Sequence, residues 1–351
     1  MPTDIKEQRM NTLRLGKTEL TVSRLAFGAL PIQRISLDEA KRILQRAYEG
    51  GITFFDTARG YTDSEEKIGA ALSHVRKNIV IATKAKADTG EGVTQLLETS
   101  LRTLKTDYVD ILQIHNPKKI PVPGDGTERY EAMLAARQAG KIRFLGLSAH
   151  ALDNALATVS SGLYDTVQFP FSLLADRREM ELPAACKAAD VGFIAMKALG
   201  GGLIRDIPAA FAFTRRFDNV LPIWGIQRME ELEQFLSLHA APPAWDDRME
   251  QLVEKEKNDL GSNFCRACGY CLPCPEGINI PTVARLMLML GRGPWKSQVT
   301  PEAQANIGKA ANCTECGVCK TRCPYELDTP ALVRQHWEGY QKFLKEKGIA
   351  Q

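Results

Sequence analysis

The end of the chain carries two sets of cysteines whose regular spacing suits a metal cluster. The first set is Cys265-x2-Cys268-x2-Cys271-x2-Cys274-Pro275, and the second is Cys313-x2-Cys316-x2-Cys319-x3-Cys323-Pro324. Three thiolates at two-residue spacing can hold three corners of a 4Fe–4S cube, and the fourth cysteine, followed by proline, usually ligates the other cube. The spacing therefore predicts two 4Fe–4S clusters with all eight cysteines as ligands.

Two zinc sites are the alternative interpretation of these cysteines. Zinc sites usually pair two C-x2-C units and do not require three evenly spaced cysteines with a Cys-Pro. The second set has the full spacing of bacterial two-cluster ferredoxins, whereas the first is one residue shorter before Cys274. The 38 residues between Cys274 and Cys313 include an apolar helix pattern at Thr282–Leu290, so we predict a small, mostly helical, ferredoxin-like domain. Cys186, the ninth cysteine, is expected to be a buried small hydrophobic residue.

A second group of residues could carry out acid–base chemistry. Asp56, Tyr61, Lys84 and His115 lie at or just after the ends of four apolar, strand-like runs. A carbonyl that accepts a hydride needs a proton at its oxygen, and Tyr61 can donate it. The Lys84 ammonium would lower the tyrosine pKa from about 10, Asp56 would hold Lys84, and His115 would orient and polarise the carbonyl. Taken singly, such a histidine can equally be structural and such an aspartate can cap a turn.

These residues fall on a regular alternation of strand-like and helix-like segments. Eight short apolar runs read as strands: Arg24–Gly28, Ile52–Asp56, Ile79–Thr83, Val109–His115, Arg143–Ser148, Thr166–Pro170, Gly192–Lys197 and Leu221–Gly225. Several are apolar almost throughout, as expected for strands buried on both faces of a parallel sheet. Eight such strands alternating with helices predict an α/β fold, a (β/α)8 TIM barrel with its chemistry at the C-terminal strand ends. A doubly wound open sheet is the structural alternative.

Two features frame the barrel along the chain. Asn11–Leu15 and Glu19–Val22 flank Gly16–Lys17 and predict a small hairpin before it. Ala240–Pro243 breaks the alternation, and a charged helix follows over Trp245–Leu260, stopped by Gly261. We therefore predict a barrel over 1–240, a linker and helix over 241–262, and the cluster-binding domain over 263–351. A last helix is predicted at Thr329–Lys345, and the cysteine pattern is the only internal repeat we find.

Composition excludes several classes of function. The 351 residues contain 45 Lys and Arg against 42 Asp and Glu, a net charge of +3 that gives no case for binding nucleic acid or a membrane surface. The first ten residues lack the apolar core of a signal peptide, and no apolar stretch has spanning length. We expect a cytoplasmic protein, and in a reducing compartment clustered cysteines favour metal ligation over disulfides.

Between Asn11 and Leu236 the chain resembles the aldo-keto reductases. The resemblance rests on Phe55-Asp56-Thr57-Ala58-Arg59-Gly60-Tyr61, Ala82-Thr83-Lys84 and Leu112-Gln113-Ile114-His115, together with Ser64–Gly69, Gly140–Arg143, Gly146–Ser148 and Asp165–Gln168. The whole chain is similar to the branch of that family with a C-terminal ferredoxin-like domain. The resemblance implies an oxidoreductase that reduces a small carbonyl substrate by hydride transfer, with Asp56, Tyr61, Lys84 and His115 as its catalytic set.

The resemblance also implies where a nicotinamide cofactor binds. Ser148 and Gln168 match residues that hold the nicotinamide amide, although Ala149 stands where the family has Asn. Met196, followed by Lys197, takes the position of a tyrosine that stacks on the ring. Arg59 either attracts an anionic substrate or is simply solvated.

The loops after the last two strands are expected to receive the cofactor's phosphates. These are Gly200–Gly202 and the turn that runs from Gly225 to Arg228. Arg228 matches a family cation for the 2′-phosphate, which favours NADPH over NADH. A solvated residue at a helix start is the alternative for Arg228.

Three functions of different class are compatible with these motifs. The first is an NADPH-dependent carbonyl reductase with two 4Fe–4S clusters. The second is an electron-transfer enzyme that passes electrons through the clusters between a barrel-bound nicotinamide or flavin and an external carrier, which could be a redox protein. A flavin usually mediates such a step, and we find no flavin motif. The third is a docking module, in which the cysteine domain binds a protein partner.

Overall fold

A computed structural model describes residues 11–260, 263–292 and 295–349. Two predictions fall on residues outside these ranges: the absence of a signal peptide, which concerns the first ten residues, and the end of a helix at Gly261. Within the described ranges, no helix is both long enough and apolar enough to span a membrane.

The strands form one hairpin and one closed barrel. Their bounds are β1 (Thr12–Arg14), β2 (Thr21–Ser23), β3 (Ala26–Gly28), β4 (Phe54–Asp56), β5 (Val80–Ala85), β6 (Val109–His115), β7 (Ile142–Ser148), β8 (Thr166–Pro170), β9 (Gly192–Met196) and β10 (Val220–Gly225). The first two pair antiparallel, and β3 to β10 pair in parallel, with β10 closing onto β3. The barrel prediction is confirmed, and the open sheet is excluded.

The helices alternate with the barrel strands and then continue alone. The bounds are α1 (Leu37–Glu49), α2 (Ser64–Leu72), α3 (Gly90–Leu104), α4 (Arg129–Gln138), α5 (Leu152–Ser160), α6 (Leu182–Ala188), α7 (Ile207–Arg215), α8 (Met229–Ala240), α9 (Asp247–Leu260), α10 (Ile280–Val283), α11 (Leu286–Arg292), α12 (Pro301–Gly308), α13 (Val318–Thr321) and α14 (Thr329–Glu346). The prediction of one continuous helix over Thr282–Leu290 is wrong. The chain leaves helical geometry between Val283 and Leu286, so two short helices, α10 and α11, are formed there.

The hairpin packs against the N-terminal end of the barrel. Leu13, Leu15 and Val22 are buried together with the inward-facing barrel residues Phe54 and Ile194. The turn of the hairpin approaches the start of β9 so closely that a Cβ at position 16 would lie 2.3 Å from a backbone nitrogen there. Position 16 also has a φ of +53°, so both the space and the backbone require glycine. Apolar side chains fill the N-terminal end of the barrel. A functional site is therefore expected at the opposite end, where the strands have their C-termini.

The chain divides into two compact units. The first contains the residues up to Ala198 together with Pro208–Trp245, and the second contains Leu199–Ile207 together with the chain from Asp246 onward. The loop between β9 and α7 is thus part of the second unit, although it lies inside the barrel segment in chain order. In the second unit, Val283 of α10, Ala284 directly after it and Val333 of α14 are buried beside the cysteines.

Candidate active site and cluster-binding site

The barrel brings the four predicted catalytic residues to its C-terminal end. Asp56 ends β4, Lys84 lies in β5, and His115 ends β6, while Tyr61 follows in the loop between β4 and α2. Alternate residues of a strand point to the same side of the sheet. In a closed barrel that side is the interior, so the inward side chains of neighbouring strands come close together. The side chains of Asp56, Lys84, Tyr61 and His115 accordingly form one connected group.

Lys84 is the centre of this group. Its Nζ donates to Asp56 Oδ1 at 2.8 Å and Oδ2 at 2.7 Å, and to the Thr57 carbonyl at 2.7 Å. The same Nζ lies 5.2 Å from the centre of the Tyr61 ring, close enough for its charge to act on the phenol. Burial lowers the pKa of Lys84, but Asp56 and Tyr61 outweigh that effect, so its pKa lies above the ordinary value. Lys84 is therefore a buried, positively charged donor next to the phenol.

The Tyr61 phenol has a higher pKa than the sequence predicts. Burial raises its pKa above the ordinary value of 10.0, and Lys84 lowers it only in part. The expectation that Lys84 alone sets the acidity is thus incomplete, because the cost of burying a phenolate is the larger effect. Tyr61 stays protonated at neutral pH, as a proton donor must.

His115 is held neutral beside Tyr61. The two rings meet edge to face, with centroids 5.9 Å apart and an interplanar angle of 81°. Burial, with Lys84 and Lys86 adding to it, lowers the pKa of His115 to about 3. Its Nδ1 is buried and has no hydrogen-bond partner among the described residues. A neutral imidazole of this kind can orient a carbonyl oxygen without competing to protonate it.

The loop that carries Tyr61 is fixed by a buried ion pair. Arg59 pairs with Glu65, which is fully buried, and donates to the Thr62 carbonyl at 2.8 Å. Glu65 Oε1 also accepts from the Thr83 hydroxyl at 2.6 Å. Arg59 is therefore a structural residue of this loop and not simply a solvated side chain, whereas its attraction of an anionic substrate stays a prediction.

Two predicted nicotinamide residues are buried next to the catalytic group. Strand register sets His115 beside Ser148, and Ser148 beside Gln168. The Ser148 hydroxyl accepts from the Asn116 backbone N–H at 3.1 Å. Gln168 lies close enough to Asp56 to favour the charged form of that carboxylate, while its Oε1 is buried without a partner among the described residues. That oxygen can accept a hydrogen bond from a carboxamide N–H, so this position fits a nicotinamide.

The other predicted cofactor residues lie on strand ends and turns. Met196 ends β9 and packs against the apolar barrel interior, and Lys197 follows it in the left-handed region, with a φ of 57°. Gly225 ends β10 and is exposed. Arg228 stands at the N-cap of α8, and its exposed guanidinium pairs with Glu231 at 2.7 Å. The roles of these residues stay predictions.

Three further residues join the site that the sequence did not single out. Gln113, two residues before His115 on the same strand face, lies 3.4 Å from Asp56 Oδ1 through its Nε2. The backbone N–H of His150 donates to Asn116 Oδ1 at 3.1 Å. Burial, Lys197 and His115 hold the pKa of His150 well below its usual value. The period of two along β6 could have indicated Gln113, but no local pattern indicates His150.

The two cysteine sets repeat the same backbone geometry. The residue two positions after the first cysteine has a left-handed φ in both sets, 52° at Ala267 and 55° at Glu315. Two positions further on, Gly269 and Gly317 have φ values of 83° and 74°. The shorter spacing before Cys274 therefore leaves the shared geometry of the first three cysteines unchanged.

The repeat continues beyond the cysteines. The N–H of the third residue after the last cysteine donates to the carbonyl of that cysteine, at 3.0 Å for Gly277 and 3.2 Å for Glu326. Asn279 then caps α10, and Asp328 caps α14, through a side-chain oxygen in each case. The internal repeat thus extends past the cysteine pattern into the helix starts.

The cysteine loops fit iron–sulfur clusters. All nine cysteines are free of disulfides, and Cys274, Cys313, Cys316 and Cys319 line one pocket together with Cys271. This pocket brings the last two cysteines of the first set together with the first three of the second. Within the described residues, no three His, Cys, Asp or Glu side chains are placed to hold a single metal ion. Cys186 is fully buried in the barrel unit, where burial raises its pKa to about 12.

Comparison with known proteins identifies both parts of the chain. The model of the aldo/keto reductase family matches residues 24–239, and that of a 4Fe-4S dicluster domain matches residues 264–328. L-galactose dehydrogenase of Arabidopsis thaliana is 30% identical over 211 residues, covering 55% of this chain and 66% of that protein. The aldo-keto reductase YhdN of Bacillus subtilis is 30% identical over 191 residues, covering 49% of this chain and 56% of its own length. The chain thus spans about two thirds or less of these relatives.

Solved structures share the barrel. An aldo-keto reductase from Klebsiella pneumoniae in complex with NADPH has a TM-score of 0.62 at 22% identity, covering 70% of this chain and 94% of that one. The holo form of an aldo-keto reductase from Bacillus halodurans, AKR11C1, has a TM-score of 0.61 at 21% identity, covering 70% of this chain and 96% of that one.

Fold and site together define a barrel oxidoreductase with a cluster-binding domain. More specifically, the chain belongs to the aldo/keto reductase family, whose members are NAD(P)H-dependent oxidoreductases, and it carries a C-terminal 4Fe-4S dicluster domain.

Proposed function

We propose that this protein reduces the carbonyl group of a small aldehyde or ketone with NADPH, and that its second unit holds two 4Fe–4S clusters. The observation that carries the proposal is the connected group of Asp56, Lys84, Tyr61 and His115 at the C-terminal end of the barrel. Each member has a separate task in the protonation of a carbonyl oxygen.

Tyr61 donates the proton. NADPH, when bound, supplies a hydride to the carbonyl carbon, and the Tyr61 hydroxyl protonates the oxygen. Lys84 stabilises the phenolate left behind, because its ammonium lies 5.2 Å from the centre of the Tyr61 ring and its charge favours the phenolate. Asp56 holds Lys84 in place with two hydrogen bonds. His115, kept neutral, orients the carbonyl oxygen toward the phenol. The alcohol product contains the hydride and the proton, and a proton from solvent restores Tyr61.

Gln168 and Ser148 would hold the nicotinamide amide in this scheme, and Met196 would cover the ring. Support comes from the buried, unpartnered Oε1 of Gln168 beside the catalytic group. Lys197, Gly225 and Arg228 would contact the rest of the cofactor. The 2′-phosphate role of Arg228 makes NADPH the expected nucleotide.

The test is NADPH oxidation with a panel of small aldehydes and ketones. Tyr61→Phe should lower kcat by about 10²-fold or more and leave the Kd for NADPH unchanged. Tyr130→Phe is the matched control, because its hydroxyl makes only one long hydrogen bond, 3.4 Å to the Leu163 carbonyl. Wild-type turnover by the Tyr61 variant would exclude the proposed role.

An electron-transfer function is the second candidate. It is favoured by the repeated geometry of the two cysteine sets, which suits two equivalent redox centres. In that case NADPH, alone or with added flavin, should reduce the clusters under anaerobic conditions, as seen by loss of visible absorbance. Clusters that stay oxidised in both titrations would exclude electron transfer from the nicotinamide. An external redox protein is the partner that this function requires.

A further inference from the structure

The loop between β9 and α7 is held by arginines that follow the first cysteine set. Arg285 Nη2 donates to the Gly201 carbonyl at 3.1 Å, and Arg292 Nη1 donates to the Leu203 carbonyl at 2.8 Å. Arg292 also pairs with Glu256 at 2.9 Å. The loop and both arginines belong to the second unit, so these contacts are internal to it.

Gly201 is fitted to Arg285. A Cβ on Gly201 would lie 3.3 Å from Arg285 Nη2 and 3.5 Å from Nη1, and the residue has a φ of +68°. The guanidinium thus lies directly against the backbone, and the left-handed conformation there favours glycine.

The same arginine lies near the first cysteine set. It follows Ala284, which is fully buried and packs in one apolar cluster with Cys265 and Cys271. Its Nε is buried and has no hydrogen-bond partner among the described residues. Cys265 lies close enough to interact electrostatically with Arg285. One N–H of this guanidinium is therefore still available to an acceptor in this region.

The internal repeat allows Arg285 to be compared with its counterpart in the second cysteine set. By the alignment of Asn279 with Asp328, Arg285 corresponds to Arg334 in the second half. Arg334 forms an exposed ion pair with Glu315, whereas Arg285 forms no ion pair among the described residues. Within those residues, no carboxylate therefore compensates the charge of Arg285.

An iron–sulfur cluster gains negative charge when it is reduced. A nearby cation and an N–H bond to cluster sulfur both favour the reduced form and raise the reduction potential. A guanidinium bonded to such a cluster would therefore be held more tightly after reduction, together with any carbonyl to which it donates.

We propose that Arg285 is a positioning residue that links the cluster of Cys265, Cys268 and Cys271 to the loop 199–207, raising the potential of that cluster and ordering the loop when the cluster is reduced. This rests on the proposed binding of a cluster by these cysteines. It does not depend on carbonyl reductase activity. Chain order places the loop directly after Met196, Lys197 and Ala198.

The first measurement is the potential of the clusters, by redox titration followed with EPR in the full-length holoprotein. Arg285→Met should shift one cluster to a more negative potential, and Arg285→Lys should shift it less, because the charge remains. Arg292→Lys is the matched control: it disturbs the loop bond at Leu203 but should leave both potentials unchanged. Iron and sulfide content must equal that of the wild type, which separates lost tuning from a lost cluster.

The second measurement is amide hydrogen exchange of peptides that cover 199–207, with the clusters oxidised or reduced by dithionite, one electron each. Reduction should slow exchange about tenfold in the wild type, the scale of one charge-assisted hydrogen bond, and not in Arg285→Met. Equal potentials in wild type and Arg285→Met would show that the arginine is only structural. A shifted potential with exchange that ignores the redox state would overturn the link to the loop.

Discussion

Lys84 Nζ lies 2.8 and 2.7 Å from the two carboxylate oxygens of Asp56, and neither residue exposes more than 2% of its surface. The two residues therefore form a buried ion pair beside the phenol of Tyr61. Removing one partner of such a pair leaves a buried charge uncompensated, which is more costly than removing both.

Lys84→Met should therefore destabilise the barrel by about 3–5 kcal/mol and lower kcat, since the phenol loses its cation. The double variant Asp56→Asn/Lys84→Met should lose less stability than the two single variants added together. Urea unfolding of the three variants measures the coupling. Strict additivity would mean that the two charges do not stabilise each other.

Acid should destabilise the protein through His115. Its pKa in the fold is about 3, below the ordinary 6.5 of the unfolded chain, so the unfolded chain binds the proton more readily. The free energy of unfolding is then greatest above pH 6.5 and falls as the pH drops toward 3. His115→Asn should reduce this loss of stability between neutral pH and pH 4, and should also lower kcat.

His239 provides the control for that experiment. Burial and the charges of Arg215 and Arg24 lower its pKa to about 4, so His239→Asn should also reduce the acid sensitivity. It should not change kcat, because His239 lies in α8 and does not contact the catalytic group. A His115 variant with an unchanged pH profile would contradict the assignment of a neutral, buried imidazole.

Asp110 should matter for stability alone. Its carboxylate accepts from Arg76 Nη2 at 2.7 Å, Arg143 Nη1 at 2.6 Å and the Ile81 N–H at 2.9 Å. It stands near the start of β6, away from the C-terminal strand ends. Asp110→Asn should cost about 3 kcal/mol of unfolding free energy with kcat per folded molecule unchanged. The exposed pair of Asp153 with Arg178 is the comparison, and Asp153→Asn should cost less than about 1 kcal/mol.

Arg228 should select the nucleotide. Arg228→Gln should raise the Kd for NADPH about tenfold, because a charge-assisted contact to the 2′-phosphate is lost, and leave the Kd for NADH unchanged. Fluorescence titration with both nucleotides measures this. Glu231→Gln frees the guanidinium from its carboxylate and should tighten NADPH binding. Equal effects of Arg228→Gln on both nucleotides would remove the proposed 2′-phosphate contact.

Cys274 should ligate a cluster in spite of the short spacing before it. Cys274→Ser should lose about half of the bound iron and sulfide if each set supplies its last cysteine to the other cluster. Cys186→Ser, which changes a buried thiol of the barrel, should retain all of it. Full iron content in the Cys274 variant would require a different fourth ligand.

The sequence predicted the barrel well because its strands are short apolar runs, and burial on both faces leaves a strong local pattern. The order of Asp56, Tyr61, Lys84 and His115 could be predicted for the same reason, since each residue follows such a run. The residues that were missed depend on contacts distant in sequence. Glu65, the partner of Arg59, is buried against Thr83 and Thr103, which lie 18 and 38 residues further along the chain. Nothing near Tyr61 in sequence shows that burial raises its pKa.

The cysteine domain shows a similar division. The spacing of the cysteines is a local pattern, so it could be recognised in the sequence. The break between α10 and α11 could not be predicted, because the apolar pattern continues across it. The repeat of Asn279 and Asp328 as helix caps became visible only when the backbone of the two halves could be compared. The membership of 199–207 in the second unit has no local signature, because it depends on Arg285 and Arg292, which lie more than 80 residues further on.

The chain enters its second compact unit twice, first over Leu199–Ile207 and again after Trp245. This makes the protein hard to dissect. A barrel excised at Ala240–Pro243 would retain a stretch whose packing partners had been discarded, and a separately expressed cysteine domain would lack that stretch. Grafting this domain onto another barrel would therefore mean transplanting two separate segments of the gene.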